Sequence, residues 1–315
     1  MSAVAAPSLR VAFLGNDAWS VPALEALAAS AHRVELVVTA APKPAGRGNA
    51  LRRTPVAGTS ERLGLPLAEV ATVKTGEGAE RLTASAPQIL AVVAYGEILP
   101  PGILGLAAVA PVNLHFSLLP ELRGASPVQT ALLLGLERTG VSTILMDEGM
   151  DTGPILLQRE EPIAPADDAG SLGSRLAAIG AEVLVATIDG LATGGLEPVP
   201  QDHARATYAA RLGPPDRVLD WSRPARELVN RCRALSPEPA ATTSFRGRGL
   251  KVFSAAAVEA DGAPGTIVEA GRQGFVVAAG AGGLRPLELA PAGRKRMDAG
   301  SFVNGFRPRV GERLG

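Results

Sequence analysis

The 315-residue chain is 46% hydrophobic and 20% charged, which is long and apolar enough for two domains with substantial cores. Its single cysteine, Cys232, excludes an intramolecular disulfide and any multi-cysteine metal cluster, so a reducing, cytoplasmic setting and a packing role are expected. Net charge is zero, yet residues 1–204 carry 13 basic against 21 acidic side chains and residues 205–315 carry 18 against 10. That asymmetry of −8 and +8 fits either a polyanion facing the second part or two complementary domains. No apolar run with a basic flank opens the chain, and no stretch is read as reaching the roughly 20 apolar residues of a membrane span, so no membrane partner is expected.

The first part alternates strand and helix signals. Leu9–Leu14 is a short apolar run ending at Gly15, suited to a buried parallel strand. Ser20 precedes Val21 and Pro22 as an N-cap candidate, and Ala23–Ala29 continues a helix. Val34–Thr39, Ile89–Ala94, Val112–His115 and Val141–Met146 read as further strands, and Ser171–Leu191 as an Ala/Leu-rich helix. The alternation predicts a mostly parallel, doubly wound α/β sheet. A Gly/Pro-containing stretch, 194–208, reads as a linker between a first domain over 1–193 and a second over 209–315. The second contains a helical pattern at Pro224–Leu235. It is followed by short strands at Leu250–Phe253, Thr266–Glu269, Gly274–Ala278 and Leu284–Leu289, which suggest a small barrel.

Three histidines are present: His32, His115 and His203. His32 lies between a helix and a strand and His203 lies in the linker, so both are read as solvated. His115 ends an apolar strand, where an open α/β sheet faces its ligand crevice. Asn113, two residues earlier, shares its face. An amide beside an imidazole suits a carbonyl oxygen that becomes an oxyanion, although a hydrogen-bonded core pair fits the same spacing. The turn after the next strand, Met146–Gly153, brings Asp147, Glu148 and Asp151. Any of them could orient that imidazole, or all could form a solvated acidic turn. The loop Lys43–Arg53 carries Lys43, Arg47, Arg52 and Arg53, with no acid between Glu35 and Glu61. It fits phosphates or plain solvent.

Asn113-Leu-His115, Ser117-Leu-Leu-Pro120, Arg123-Gly124 and Asp151-Thr-Gly153, in that order and spacing, resemble the signature of the folate-dependent formyltransferases. Ala91–Pro100, containing Tyr95 and Gly96, resembles that family's strand and turn beside the pteridine. The resemblance implies a Rossmann-like first domain and catalysis by Asn113, His115 and Asp151. It implies folate binding by Ser117, Leu118, Leu119, Pro120, Tyr95 and Gly96, with 10-formyltetrahydrofolate as co-substrate and no metal. Asp220-Trp-Ser222, Arg233-Ala-Leu, Ala263–Ile267 and Pro291–Met297 are similar to the second, OB-like β-barrel domain of the branch that formylates methionyl-initiator tRNA. Lys43, Arg47, Arg52, Arg53, Arg294, Lys295 and Arg296 are then the implied tRNA contacts, and a monomer is expected.

The chain departs from the family pattern at Asn16-Asp17, where a Thr-Pro pair is usual, and at Phe116, where Gly or Ala is usual. It departs again at Asn49-Ala50, where a Lys pair is common. A nicotinamide-dependent oxidoreductase is disfavoured because the first strand ends without a G-x-G-x-x-G cradle. A non-catalytic RNA-binding protein leaves Asn113, His115 and Asp151 unexplained. A sugar-amine formyltransferase with a similar second domain is the alternative within the family.

Overall fold

The structure is a computed structural model that describes residues 7–45 and 50–315. Arg47 and Asn49 lie outside the described residues. The chain divides into two compact units. One comprises residues up to Pro127 together with Thr139–Pro162 and Gly173–Ala209; the other comprises Val128–Arg138, Ile163–Leu172 and Ala210–Gly315.

The elements in chain order are β1 (Arg10–Gly15), α1 (Val21–Ala29), β2 (Arg33–Ala40), β3 (Lys43–Ala45), β4 (Ala50–Arg52), α2 (Pro55–Arg62), β5 (Leu67–Val70), α3 (Gly76–Ala84), β6 (Ile89–Val93), α4 (Pro101–Leu104) and β7 (Ala110–His115). They continue with α5 (Pro127–Leu133), β8 (Arg138–Leu145), β9 (Ile155–Pro162) and α6 (Ala169–Thr193). Seven strands form one sheet in the order β5-β2-β1-β6-β7-β8-β9. The first five run parallel, and the order reverses between β1 and β6, the switch point of a Rossmann-like sheet. Val11–Leu14 are fully buried, as an uninterrupted apolar run covered on both faces should be. Leu14, Val38, Leu90 and Leu82 of α3 share one of its cores.

Several readings from the sequence change. β8 is antiparallel to β7, pairing Val112 with Leu145 and His115 with Ser142. The turn after β8 therefore starts beside the first residues of β7, where Met146 N donates to Pro111 O at 2.9 Å. Ser20 stands at the N-cap of α1, but its hydroxyl donates to Val93 O at 2.7 Å rather than capping the helix. His32 is buried: its Nδ1 accepts from Leu9 N at 3.3 Å, and its Nε2 lies 3.2 Å from Asp189 Oδ1.

α6 is a 25-residue helix long and apolar enough, by length and composition, to cross a membrane, which the sequence reading had not seen. From Gly173 onward the helix packs within the first unit. Gly180 lies against Leu114, Gly173 against Trp19, and Thr187 shares a 2.7 Å hydroxyl contact with Thr143. Its polar side is tied by Arg159–Glu182 and Arg175–Glu161 ion pairs.

The second unit holds α7 (Ala225–Leu235), β10 (Ala241–Phe245), β11 (Arg248–Val258), β12 (Ile267–Gly271), β13 (Gly274–Ala278), β14 (Gly283–Pro291), β15 (Met297–Asp298) and α8 (Ala299–Phe306). Its antiparallel sheet runs β10-β11-β14-β13-β12, with β15 added to β14. The C-terminal residues join its two edges: Leu314 bridges Phe245 at the end of β10, and Arg313 bridges Thr266 before β12. The result is an OB-like barrel whose core includes Trp221, Cys232, Phe275 and Phe302. Cys232 packs there, and burial pushes its thiol up to about 12.

Candidate active site

β7 supplies two of the sequence-selected residues on one face. Asn113 is half-buried and His115 is 6% exposed, at the carboxyl end of the strand. The ring's Nε2 is 2.9 Å from Leu122 O. A carbonyl only accepts, so Nε2 carries a proton and Nδ1 is the variable position. Nδ1 lies 3.6 Å from Asp151 Oδ2. The other carboxylate oxygen, Oδ1, accepts from Asn113 Nδ2 at 3.1 Å. Asn113, His115 and Asp151 thus meet at one point, although Asp151 arrives from a turn that begins at the far end of β7.

The meeting depends on backbone geometry. Asp151 has φ +57°, a left-handed conformation that a non-glycine residue adopts only when its surroundings hold it there. Gly124 N donates to Asp151 Oδ2 at 2.8 Å. Gly124 itself has φ +114°, and a Cβ there would stand 2.7 Å from Ala209 O, so only glycine places this N–H on the carboxylate. Asp147 stays within its own turn, accepting from Gly149 N and Thr152 Oγ1, and Glu148 is exposed.

The loop after β7 is pinned from below. Ser142 Oγ donates to Ser117 O at 2.6 Å and accepts from Leu119 N at 3.0 Å, while Gln158 Nε2 donates to Leu119 O at 2.8 Å. Ser117 is buried with its hydroxyl spent on Glu121 O at 2.6 Å. Leu119 is buried, whereas Leu118 and Pro120 are partly exposed. Phe116 is buried and turns its ring edge-on to Trp19, with centroids 6.0 Å apart, so the bulk beside His115 is absorbed by packing.

At the switch point, Asn16 spans the ends of three strands. Its Nδ2 donates to Tyr95 O, and its Oδ1 accepts from Ala40 N at 2.7 Å and Thr39 Oγ1 at 2.9 Å. The departure at Asn16 thus knits β1, β2 and the segment after β6. Tyr95 is buried, which raises its hydroxyl, with Glu97 adding to the effect; Gly96 is exposed with φ +84°.

Within the basic loop β3 and β4 pair antiparallel, with Lys43 opposite Arg52. Both side chains are exposed, as is Leu51 at 70%. Arg53 differs. Its Nε and Nη2 donate to the two oxygens of Glu69 at 2.8 and 2.7 Å, and Nη1 to Glu61 at 2.7 Å, which raises its pKa further. The stretch is free of acids along the chain but not in space. In the second unit, Arg294 and Lys295 are exposed, while Arg296 pairs with Glu288 and lies 4.5 Å from the Phe253 ring centroid.

The sequence reading missed Gln201, placed in the linker, and gave no role to Arg123. Both are buried and bonded to each other. The only advance signal was Arg123-Gly124 inside the recognised motif.

A Rossmann-like sheet with an Asn–His–Asp cluster, followed by an OB-like barrel, defines the class. The chain belongs to the formyltransferase family: the profile described as "Formyl transferase" matches residues 9–188, and that described as "Formyl transferase, C-terminal domain" matches 211–307. Within it, the similar curated relatives are named "Methionyl-tRNA formyltransferase". The one from Symbiobacterium thermophilum is 43% identical over 97% of this chain and 95% of its own length. That from Koribacter versatilis is 42% identical over 96% and 97%. By fold alone, the chain is similar to HypX from Aquifex aeolicus in complex with tetrahydrofolic acid, with a TM-score of 0.61 and 15% identity over 97% of this chain and 49% of that one. It is likewise similar to WlaRD, a sugar 3N-formyl transferase, with a TM-score of 0.64 and 15% identity over 92% of this chain and 100% of that one.

Proposed function

We propose that the protein transfers the formyl group of 10-formyltetrahydrofolate to the α-amino group of methionyl-initiator tRNA, with Asn113, His115 and Asp151 as catalytic residues. The observation that carries the assignment is Asp151 reaching Asn113 at 3.1 Å and His115 at 3.6 Å from 38 and 36 residues away in the chain. The full-length similarity to methionyl-tRNA formyltransferases supports the substrate.

The neutral amine attacks the formyl carbon, and the carbonyl oxygen becomes an oxyanion. Asn113 has two amide hydrogens and spends one on Asp151, which leaves one for that oxygen. His115 presents its Nδ1 edge to the same place because Nε2 is committed to Leu122 O. Asp151 takes the proton that leaves the attacking amine, and that proton passes to the folate N10 as N10 departs in the collapse of the tetrahedral intermediate. The formyl–N10 bond breaks as the formyl–amine bond forms, so the balance closes with no redox step.

The folate pocket in this reading includes Ser117–Pro120, Tyr95 and Gly96. The chain contacts tRNA phosphates through Lys43, Arg47, Arg52 and Arg53 and through Arg294, Lys295 and Arg296. In this reading residues 1–193 form the catalytic domain, 194–208 a linker and 209–315 the tRNA-binding domain, and the protein acts as a cytoplasmic monomer. Competition between amines tests the substrate: methionyl-initiator tRNA, methionyl-elongator tRNA and a nucleotide-linked amino sugar are supplied with one formyl donor. Preferential formylation of the initiator tRNA is expected. Preference for the amino sugar overturns the reading.

A further inference from the structure

Arg123 is 2% exposed, and its guanidinium bonds to no carboxylate among the described residues. Its Nε and Nη2 both donate to Gln201 Oε1, at 3.1 and 2.6 Å, and Nη2 also meets His203 Nδ1 at 3.1 Å. An arginine only donates, so the orientation of the Gln201 amide is fixed: its oxygen faces Arg123 and its nitrogen faces the other way. That nitrogen donates to Asp151 O at 2.9 Å and to Gly153 O at 2.7 Å. All four hydrogen-bonding positions of the amide are used, and Gln201 is 6% exposed.

We infer that Gln201, oriented by the buried Arg123 guanidinium, is the positioning residue that holds Asp151 in its left-handed backbone conformation and aims its carboxylate at Asn113 and His115. The inference rests on the proposed role of Asp151. The same Arg123 lies between Leu122, whose carbonyl accepts from His115 Nε2, and Gly124, whose N–H donates to Asp151. Arg123 is itself fixed to the segment that follows Gln201: its N donates to Thr207 O at 2.9 Å, and its O accepts from Ala209 N at 2.7 Å. One side-chain pair therefore ties the segment that orients the imidazole to the turn that carries the carboxylate. A buried cation alone would be better served by a carboxylate. A neutral amide fits because it also donates to two carbonyls, which a carboxylate cannot do.

Gln201→Glu separates the two roles. It keeps, and strengthens, the acceptor for Arg123 but removes both donors to Asp151 O and Gly153 O. In the full-length protein, single-turnover formylation by Gln201→Glu is expected to fall roughly 10–100-fold, the range for loss of a group that orients an active-site residue. KM for formyl-folate and for methionyl-tRNA should stay within threefold. Gln201→Met, of similar length and uncharged, should show the same loss and serves if the Glu variant folds poorly. In an Asp151→Asn background, Gln201→Glu should cost less than a further twofold. A turnover within twofold of wild type, or losses that multiply independently with Asp151→Asn, would overturn the inference. If Asp151→Asn alone keeps full turnover, the assignment of Asp151 fails instead.

Discussion

Replacing Asp151 by Asn changes one atom's chemistry and leaves the shape. The carboxylate accepts from Gly124 N at 2.8 Å through Oδ2 and from Asn113 Nδ2 at 3.1 Å through Oδ1, and the side chain is 15% exposed. An asparagine offers one acceptor oxygen, so its amide nitrogen must face one of these two donors. Losing one charge-assisted hydrogen bond costs about 1.5–3 kcal/mol. That is less than the roughly 5–15 kcal/mol stability of a typical protein, so the variant should stay folded. The rate should suffer more. The variant has no base for the amine proton, and such groups contribute about 10²–10⁴-fold. A displaced Asn113 weakens oxyanion binding, for which loss of one donor costs about 10²–10³-fold. The two effects overlap at one site, so turnover by Asp151→Asn should fall about 10²–10³-fold, with KM for formyl-folate within threefold. The assay is single-turnover formylation at saturating folate, with circular dichroism to confirm folding. A folded variant turning over within threefold of wild type would show that Asp151 is not the base.

Other predictions follow from the same geometry. Phe116→Ala should lower stability by about 3–5 kcal/mol in denaturant titration, because the ring is buried against Trp19, while KM for formyl-folate stays within twofold. Arg52→Ala should weaken methionyl-tRNA binding and reduce the slope of log affinity against log salt by about 0.9. Arg53→Ala should change that slope less, since its guanidinium is already bound to Glu69 and Glu61; equal slopes would show that the ion pairs open on binding. Burial raises the Cys232 thiol from 9.0 to about 12, so the folded state holds this proton more tightly than the unfolded chain. Its stabilisation is complete below about pH 9 and is lost as pH rises towards about 12. Thermal melts across that range should therefore fall less steeply for Cys232→Ala than for wild type.

Much of the first sheet was legible because strands covered on both faces must be continuous apolar runs, as Val11–Leu14 and Ile89–Val93 are. The direction of β8 was not legible, since Val141–Met146 has the same composition whichever way it runs and only its pairing with β7 decides. β9 was missed because Gln158–Glu161 breaks the apolar pattern on a strand at the sheet's edge. His32 was misread because its burial comes from Leu9 and Asp189, 23 and 157 residues away. Asn113 and His115 could be paired from their spacing on one strand, but Gln201 could not be joined to them. Its partners Arg123 and Asp151 are 78 and 50 residues distant, and a Gly/Pro-containing stretch reads as a spacer unless its hydrogen bonds are seen. Arg53 shows the same limit for charge, because its acids come from α2 and β5.

The path of the formyl carbon itself distinguishes transfer to the amine from every other fate. Wild-type protein is given 10-formyltetrahydrofolate labelled in that carbon together with methionyl-initiator tRNA, alongside Asn113→Ala and His115→Ala, and the methionine is released and analysed. Label is expected on the methionine nitrogen with wild type, and initial rates lower by about 10²-fold or more with each variant. Label that stays on folate with wild type, or reaches methionine at undiminished rate in both variants, would contradict formyl transfer by this site.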